Sequence, residues 1–429
     1  MLLPVTYRVD ARGHVEVGGC DLVEVAREFG TPLYVYDEAT VHVTAREFRA
    51  AMDGAGHVLY SAKAFASPQF LRVVAEEGLG LDVVSAGELH LALRSGFPAE
   101  RIYFLGNNKS EEDLDAAFAA GVTLVVDGFH EFDILQSVVP AGRRMRAEVR
   151  LAPGVRPDTH EYIATGQLDS KFGFSVESGA ARQAVERALG HDRLELVGLH
   201  SHIGSQIFDL HGHAAAMAIM LDLVAELKRD LGYTPPSLGA GGGLGIAYTH
   251  GDDPPTPREF VATLRAALEG GCAERDLPVP ELVVEPGRSL AGPAGIALYT
   301  VGAIKEIPGL RTYVAVDGGM GDNIRPKLYG ARYEAIKVDD PEPAESDLET
   351  VTIAGKYCES ADILVSDARL PALRPGDLVA LPAAGAYCLA MASNYNGMPR
   401  PAVVMVRDGQ ARLIRRRETL DDLLRTEIF

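Results

Sequence analysis

Short apolar runs alternate with amphipathic, helix-length segments between residues 57 and 285. Intervening segments such as 67–77, 87–96 and 111–120 repeat apolar residues at helical spacing. Eight strand and helix repeats predict a (β/α)8, TIM-like barrel, with functional groups at the carboxyl ends of the strands. An open doubly wound sheet is the competing topology, and the strand count does not exclude it. The predicted strands are residues 57–61, 79–84, 102–105, 122–126, 147–151, 196–200, 237–241 and 282–285.

After residue 289 the pattern changes to β-rich runs separated by Pro and Gly turns, which predicts an all-β domain. Residues 7–9 and 15–17 are short strand candidates, and a barrel that starts near residue 31 leaves them no place inside it. We therefore expect a barrel domain over 31–288 and a β domain over 1–30 and 289–429. The strand candidates of the later part are 299–307, 312–316, 351–354, 377–381 and 402–406.

Composition excludes several classes of partner and site. A formal charge of −19 argues against nucleic-acid binding, which needs a concentrated basic face. The four cysteines lie far apart and without metal-ligand spacing, so we expect neither a disulfide framework nor a metal site, and a reducing cytoplasm is the simplest compartment. The chain has no run of 18 apolar residues and no basic leader followed by an apolar stretch, so we expect no membrane partner.

Several chemically versatile residues follow predicted barrel strands. Lys63 follows the first strand, where burial would favour the neutral amine that attacks carbonyl groups, although a solvated lysine is the more common case. Glu285 ends the eighth strand, where pairing with an arginine is the ordinary role of a glutamate. His200 and His202 share one side of the sixth strand, but no third ligand stands at a spacing that would indicate a metal.

A glycine cluster lies at the end of the seventh strand and just after it, at residues 239, 241–243 and 245. Glycine lets backbone N–H groups approach a phosphate closely, because it has no Cβ and accepts positive φ. The cluster does not satisfy G-x-G-x-x-G in any frame, which weakens a Rossmann interpretation. A tight turn is the alternative.

Together these segments resemble pyridoxal-phosphate enzymes of the alanine racemase-like fold, and most closely the diaminopimelate decarboxylase family. The resemblance spans nearly the whole chain. The matching segments are Y-S-A-K-A around Lys63, H-S-H-I-G-S-Q around His202, G-G-G-L-G from Gly241, E-P-G-R-S from Glu285, R-P-K-L-Y-G from Arg325, C-E-S-A-D from Cys358 and G-A-Y-C around Tyr387.

The resemblance implies a role for each cofactor-binding residue. Lys63 would bind pyridoxal 5'-phosphate covalently, Glu285 would bond the pyridine nitrogen and His202 would stack on the ring. The resemblance implies only a structural role for His200. Residues 165–173 resemble the flexible loop of the family, which closes over the site. The residues implied around the phosphate and the rest of the cofactor are Ser205, Gly241, Gly242, Gly243, Gly287, Arg288 and Tyr387.

The C-E-S-A-D segment implies a homodimer with active sites shared across the interface. In the family, the cysteine is the proton donor and the glutamate reaches the substrate ammonium in the site of the partner subunit. Those roles fall on Cys358 and Glu359. Ala361 departs from the glycine of the family pattern, which puts substrate selectivity in doubt more than catalysis.

The resemblance implies decarboxylation of meso-2,6-diaminopimelate to L-lysine, the last step of lysine biosynthesis. Arg288 and Arg325 are candidates for the distal carboxylate, which a planar guanidinium binds in a bidentate pair. Tyr329 and Tyr387 would add substrate contacts. In a decarboxylase for simple diamines, we would expect an acidic residue at these positions in place of an arginine.

Other functions remain open from the residues. A decarboxylase of the same fold could act on another amino acid or on a carrier-tethered aminoacyl group. A racemase is disfavoured, because no motif marks its second proton donor. An inactive regulatory homologue is the alternative outside enzymes, although it would have little reason to keep Lys63, Glu285 and Cys358.

Overall fold

The computed structural model describes residues 2–155 and 170–429. Its strands, in chain order, are β1 Arg8–Val9, β2 Val15–Val17, β3 Cys20–Asp21, β4 Leu33–Asp37, β5 Gly56–Ser61, β6 Gly80–Val83, β7 Ile102–Phe104, β8 Thr123–Val126, β9 Met145–Ala152, β10 Phe174–Ser175, β11 Leu194–Ser201, β12 Ser237–Gly241, β13 Glu281–Val284, β14 Gly295–Ile307, β15 Arg311–Val316, β16 Ile336–Lys337, β17 Leu348–Ala354, β18 Ile363–Pro371, β19 Leu378–Leu381, β20 Ala402–Arg407 and β21 Gln410–Arg415.

The α-helices begin and end as follows: α1 Leu22–Phe29, α2 Glu38–Met52, α3 Pro68–Glu76, α4 Ala86–Arg94, α5 Glu111–Ala120, α6 Phe129–Val138, α7 Ala180–Gly190, α8 His211–Leu231, α9 Pro257–Glu274, α10 Arg288–Ala291, α11 Arg325–Tyr329 and α12 Leu420–Leu423. Within 2–155 and 170–429, none of these helices combines the length and the apolar composition needed to cross a bilayer.

Eight parallel strands close into a barrel, as the sequence predicts. They are β5, β6, β7, β8, β9, β11, β12 and β13, and β13 pairs back onto β5 with Leu282 opposite Gly56. The short strand β10 adds to the edge of β9. The open doubly wound sheet is therefore excluded.

Local sequence signals fix where the barrel helices begin. The Ser67 side chain accepts a hydrogen bond from Phe70 N–H, and Pro68 occupies the first turn of α3. Ser110 and Thr256 form capping boxes with the third helical residues of α5 and α9. These caps fix the residues at which the loops after β5, β7 and β12 end.

The chain divides into two compact units. The barrel unit comprises Thr44–Gly245 and Pro254–Ser289, and the β unit comprises Met1–Val43, Ile246–Asp253 and Leu290–Phe429. This division differs from the expected boundary at residue 31, because β4 pairs with β14 and β20 of the β unit and not with a barrel strand.

The β unit contains a mixed sheet with strand order β18-β17-β15-β14-β4-β20-β21, and β19 pairs with both β14 and β16. A small antiparallel sheet of β1, β2 and β3 joins it. Their apolar faces share one core, which includes Val17, Leu22, Leu33, Leu298 and Val404. The N-terminal residues thus contribute to the β unit, as expected for strands that have no place in the barrel.

Candidate active site

Predicted site residues follow three of the barrel strands. Lys63 lies in the 3-10 turn Ala62–Ala64 directly after β5, and its side chain is exposed. His202 directly follows β11, and Glu285 directly follows β13, with Gly287 buried two residues later. Because the carboxyl ends of parallel barrel strands meet at one end of the barrel, the fold brings these residues together.

Glu285 is held by His200, which the sequence analysis left as structural. His200 Nε2 lies 3.0 Å from both carboxylate oxygens of Glu285, and both side chains are buried. Burial alone would raise the pKa of Glu285, and the charge and hydrogen bond of His200 oppose that rise. Together with the charges of Lys63 and Arg150, they bring the pKa of Glu285 below its usual value. Glu285 is therefore ionised at neutral pH.

Gly239 leaves room for this contact. Strand β12 lies between β11 and β13, and Gly239 pairs with His200 on one side and with Val283 on the other. A Cβ at Gly239 would lie 3.1 Å from His200 Cδ2, closer than side chains normally pack. This pairing depends on the register of the barrel strands, so the sequence did not identify His200 as a partner of Glu285.

His202 is a neutral imidazole. Burial lowers its pKa well below the usual value, and Lys63 and then Arg150 lower the pKa of His202 further. Its Nδ1 accepts a hydrogen bond from Gly242 N–H at 3.2 Å, so the remaining ring proton is on Nε2. The ring is half-buried beside the glycine cluster.

The glycine cluster after β12 has no space for side chains. Gly241 and Gly243 have φ of 70° and 100°, which side chains rarely adopt. A Cβ at Gly242 would lie 2.1 Å from the Glu285 carbonyl oxygen, and one at Gly243 would lie 2.6 Å from that of Gly204. Only glycine fits these positions, and backbone groups can approach a ligand there.

Hydrogen bonds join the loops that follow three strands. Ile207 N–H donates to the Gly243 carbonyl at 2.9 Å, and Gly245 N–H donates to the Ile207 carbonyl at 3.0 Å. The buried Arg288, at the start of α10, donates from Nη2 to Ser205 Oγ at 2.8 Å. The predicted residues Ser205 and Arg288 therefore meet.

Asp82 is a buried acid that the sequence analysis missed. Ser61 Oγ donates to Asp82 Oδ2 at 2.6 Å. Burial raises the pKa of Asp82 to about 7, Glu285 adds to this rise and Lys63 opposes it. The sequence feature that could have indicated Asp82 is an aspartate inside the otherwise apolar strand β6. Its position within electrostatic reach of Lys63 was not visible from the sequence.

Arg150 is the second missed residue. It lies near the carboxyl end of β9, with Nη1 3.2 Å from Asp127 Oδ2 and its guanidinium 4.5 Å from the Phe172 ring centroid. Gly173 N–H donates to Asp127 Oδ1 at 2.6 Å. Of the predicted loop 165–173, residues 165–169 lie outside the described residues.

The remaining predicted residues belong to the β unit. Arg325 and Tyr329 are four residues apart on α11, and so share one face of it. Arg325 is buried, with its guanidinium 4.6 Å from the Tyr248 ring centroid. Tyr387 is half-buried and has φ of 61°, which fixes an unusual turn at the G-A-Y-C segment.

Cys358 and Glu359 are exposed in the loop between β17 and β18. Cys358 N–H donates to Asn396 Oδ1 at 2.9 Å, and the Tyr395 hydroxyl donates to the Glu359 carboxylate. Ala361 has an ordinary φ, so the backbone does not require the family glycine there. Ala361 lines a cavity of about 1230 Å³ within the β unit.

Comparison with known proteins agrees with this geometry. Residues 38–292 match the family model of the pyridoxal-dependent decarboxylase, pyridoxal binding domain. Diaminopimelate decarboxylase of Bacillus subtilis is 45% identical over 433 residues, covering 100% of this chain and 98% of the relative, and that of Mycobacterium tuberculosis is 47% identical, covering 98% and 96%. The structure of diaminopimelate decarboxylase from M. jannaschii in complex with L-lysine superimposes with a TM-score of 0.92, at 34% identity and over 100% of this chain and 99% of that one. The chain therefore belongs to the pyridoxal-dependent decarboxylases, and among them to the diaminopimelate decarboxylase family.

Proposed function

We propose that the protein decarboxylates meso-diaminopimelate to L-lysine with pyridoxal phosphate as its cofactor. The observation that carries the proposal is the ionised, buried Glu285 carboxylate, fixed by His200 at 3.0 Å. A buried carboxylate is stable only with hydrogen-bonding or charged partners, and a protonated pyridine nitrogen is such a partner. Family membership supports the same cofactor.

The residues at the carboxyl end of the barrel fit pyridoxal phosphate. Lys63 would bind it covalently through its amine, and the backbone of Gly241, Gly242 and Gly243 would hold the phosphate. When bound, the cofactor supplies an electron sink that no side chain provides. Ser205, Gly287, Arg288 and Tyr387 are the other residues proposed to hold it.

Glu285 and His202 would divide two tasks at the pyridine ring. The Glu285 carboxylate would keep a proton on the ring nitrogen of a bound cofactor, because an ionised acceptor favours the protonated form of its donor. His202 is neutral, so it can lie against the ring face without opposing the positive charge of the nitrogen. Removing the negative charge of Glu285 would weaken the electron sink.

Each charged group at the distal end of the substrate has a proposed partner in the protein. Arg325, with Tyr329 beside it on α11, and Arg288 would bind the distal carboxylate. Glu359 would bind the distal ammonium, and Tyr387 would contact the substrate. Solved relatives from M. jannaschii and Helicobacter pylori are complexed with L-lysine, the product of the proposed reaction.

Cys358 would donate the proton that replaces the lost carboxylate, since an exposed thiol can act as a general acid. We propose that it does so in the site of a partner subunit, in a homodimer. Mixing inactive Lys63→Ala and Cys358→Ala homodimers should then restore activity through hybrid sites. Absence of any recovery after verified subunit exchange would count against shared sites.

One assay tests the function directly. Purified protein is loaded with pyridoxal phosphate, and its visible absorption is checked for loss in the Lys63→Ala variant. The loaded enzyme is then incubated with meso-diaminopimelate and with a panel of D- and L-amino acids, and lysine and carbon dioxide are measured. Release of lysine only from meso-diaminopimelate is the expected result. Turnover of another amino acid in preference to it would refute the proposal.

A further inference from the structure

A buried polar cluster surrounds Arg325 inside the β unit. The Arg325 guanidinium lies 4.6 Å from the Tyr248 ring centroid and 5.5 Å from that of Tyr333. The two rings contact each other edge to face, with centroids 5.2 Å apart. The charge of Arg325 therefore lies against two aromatic rings and beside the Tyr333 hydroxyl.

The hydrogen bonds of this cluster form a chain in which each side chain donates to the next group, from Arg325 to the Ala386 carbonyl. Arg325 Nη1 donates to the Tyr333 hydroxyl, because a guanidinium has no acceptor. Tyr333 Oη lies 3.3 Å from Cys388 Sγ, and Cys388 Sγ lies 3.6 Å from the Ala386 carbonyl oxygen. A carbonyl only accepts, so the thiol donates to Ala386 and the phenol donates to the thiol. The chain therefore ends one residue before Tyr387.

The protonation states keep this direction fixed. Burial raises the pKa of Tyr333 well above its usual value, although Arg325 opposes the rise. Burial also raises the pKa of the Cys388 thiol. Both groups therefore keep their protons in neutral solution. In addition, Arg325 Nε is buried without a hydrogen-bond acceptor in the described part of the chain, so the guanidinium retains an unused donor.

We propose that Tyr333 and Cys388 are positioning residues that orient the Arg325 guanidinium, and that they thereby set the preference for a substrate with a second carboxylate. Bidentate recognition of a carboxylate needs a fixed guanidinium plane, and a guanidinium held only by ring faces could rotate. The phenol bond removes that freedom. The inference rests on the proposed function, because it takes Arg325 as the ligand of the distal carboxylate.

The test compares two ligands that differ in that carboxylate. L-lysine keeps the distal carboxylate of diaminopimelate, whereas cadaverine has none. In Tyr333→Phe holoenzyme, the KM for meso-diaminopimelate and the inhibition constant of L-lysine should rise about tenfold, as expected when a hydrogen bond to a charged group is lost. We expect kcat and the inhibition constant of cadaverine to change less than about twofold, because neither depends on the distal carboxylate.

Three further variants control for packing. Cys388→Ala removes the acceptor of the Tyr333 hydroxyl and should shift L-lysine inhibition in the same direction, whereas Cys388→Ser keeps donor and acceptor and should restore it. Tyr299→Phe removes a buried hydroxyl that bonds Asp322 Oδ2 at 2.7 Å in the same unit, and should leave L-lysine inhibition unchanged. The Cys388 variants also serve if Tyr333→Phe does not fold.

Two results would overturn the inference. Equal weakening of L-lysine and cadaverine would mean that the cluster only supports packing. Unchanged L-lysine inhibition in Tyr333→Phe and in Cys388→Ala would mean that the guanidinium is oriented without them. Failure of the wild-type holoenzyme to release lysine from meso-diaminopimelate would instead refute the proposed function and this inference with it.

Discussion

Replacing His200 by phenylalanine tests the partner that the structure assigns to Glu285. The substitution removes the donor that lies 3.0 Å from both carboxylate oxygens and leaves the carboxylate buried. Burial, which raises the pKa of Glu285, is then opposed only by the more distant Lys63 and Arg150. The pKa of Glu285 must therefore rise, and its carboxylate becomes easier to protonate.

The size of the effect follows from the bond that is lost. A hydrogen bond to a charged group contributes about 1.5–3 kcal/mol, so the acid dissociation constant of Glu285 should fall about tenfold to a hundredfold. Wild-type Glu285 has a lowered pKa and stays ionised until the solution is acidic. In His200→Phe the carboxylate takes up a proton at a higher pH. The acidic limb of kcat should therefore move toward neutral pH, and kcat at pH 7 should fall.

The assay is a pH profile of kcat for wild type, His200→Phe and His200→Gln, each loaded with pyridoxal phosphate. The Gln side chain keeps an N–H donor, so the acidic limb of His200→Gln should lie between those of the other two. Thermal unfolding of the three proteins controls for general destabilisation. Superimposable profiles for wild type and His200→Phe would refute the role assigned to His200.

Further predictions concern the glycine cluster, the second buried acid and the β-unit loop. Gly242→Ala should destabilise the protein by about 1–3 kcal/mol in urea unfolding, because the new Cβ would lie 2.1 Å from the Glu285 carbonyl oxygen, whereas Gly270→Ala, in open space on α9, should stabilise it by about 0.5–1 kcal/mol. Asp82 has a raised pKa of about 7, so native protein holds a proton that unfolded protein has lost, and wild-type stability should fall as pH rises from about 4 to 7. Thermal unfolding of cofactor-free Asp82→Asn should show less of this fall. Ala361→Gly should leave kcat/KM for meso-diaminopimelate within about twofold, since the ordinary φ of Ala361 does not require glycine, and a larger change would mean that its methyl group shapes selectivity.

The barrel could be predicted because short apolar runs alternate with amphipathic helices, several of which begin at a capping residue. The same pattern is also the reason why the start of the barrel domain was predicted near residue 31. Leu33–Asp37 is a buried run followed by α2, and so has the appearance of a first barrel strand. It instead pairs with Gly295–Ile307 and Ala402–Arg407. Such partners lie far along the chain, and local periodicity carries no information about them.

In the candidate site, too, some residues could be predicted from the sequence and others could not. Lys63, His202 and Glu285 could be placed from strand ends, because the barrel topology alone brings strand ends together. The bond between His200 and Glu285 could not, because it crosses β12 and depends on the missing side chain of Gly239. Pairwise contacts across a closed barrel depend on register, which the sequence does not display.

The two buried acids at the end of the barrel are shifted in opposite directions, and the shifts are linked. Burial raises the pKa of Asp82, whose Oδ1 has no hydrogen-bond partner among the described residues, whereas His200, Lys63 and Arg150 together lower the pKa of Glu285 despite its burial. Each negative charge makes the other acid easier to protonate, so an ionised Glu285 favours a protonated Asp82. His200 bonds the Glu285 carboxylate and so favours negative charge on that acid. Without His200 the pKa of Glu285 would rise, and the difference in pKa between the two acids would become smaller.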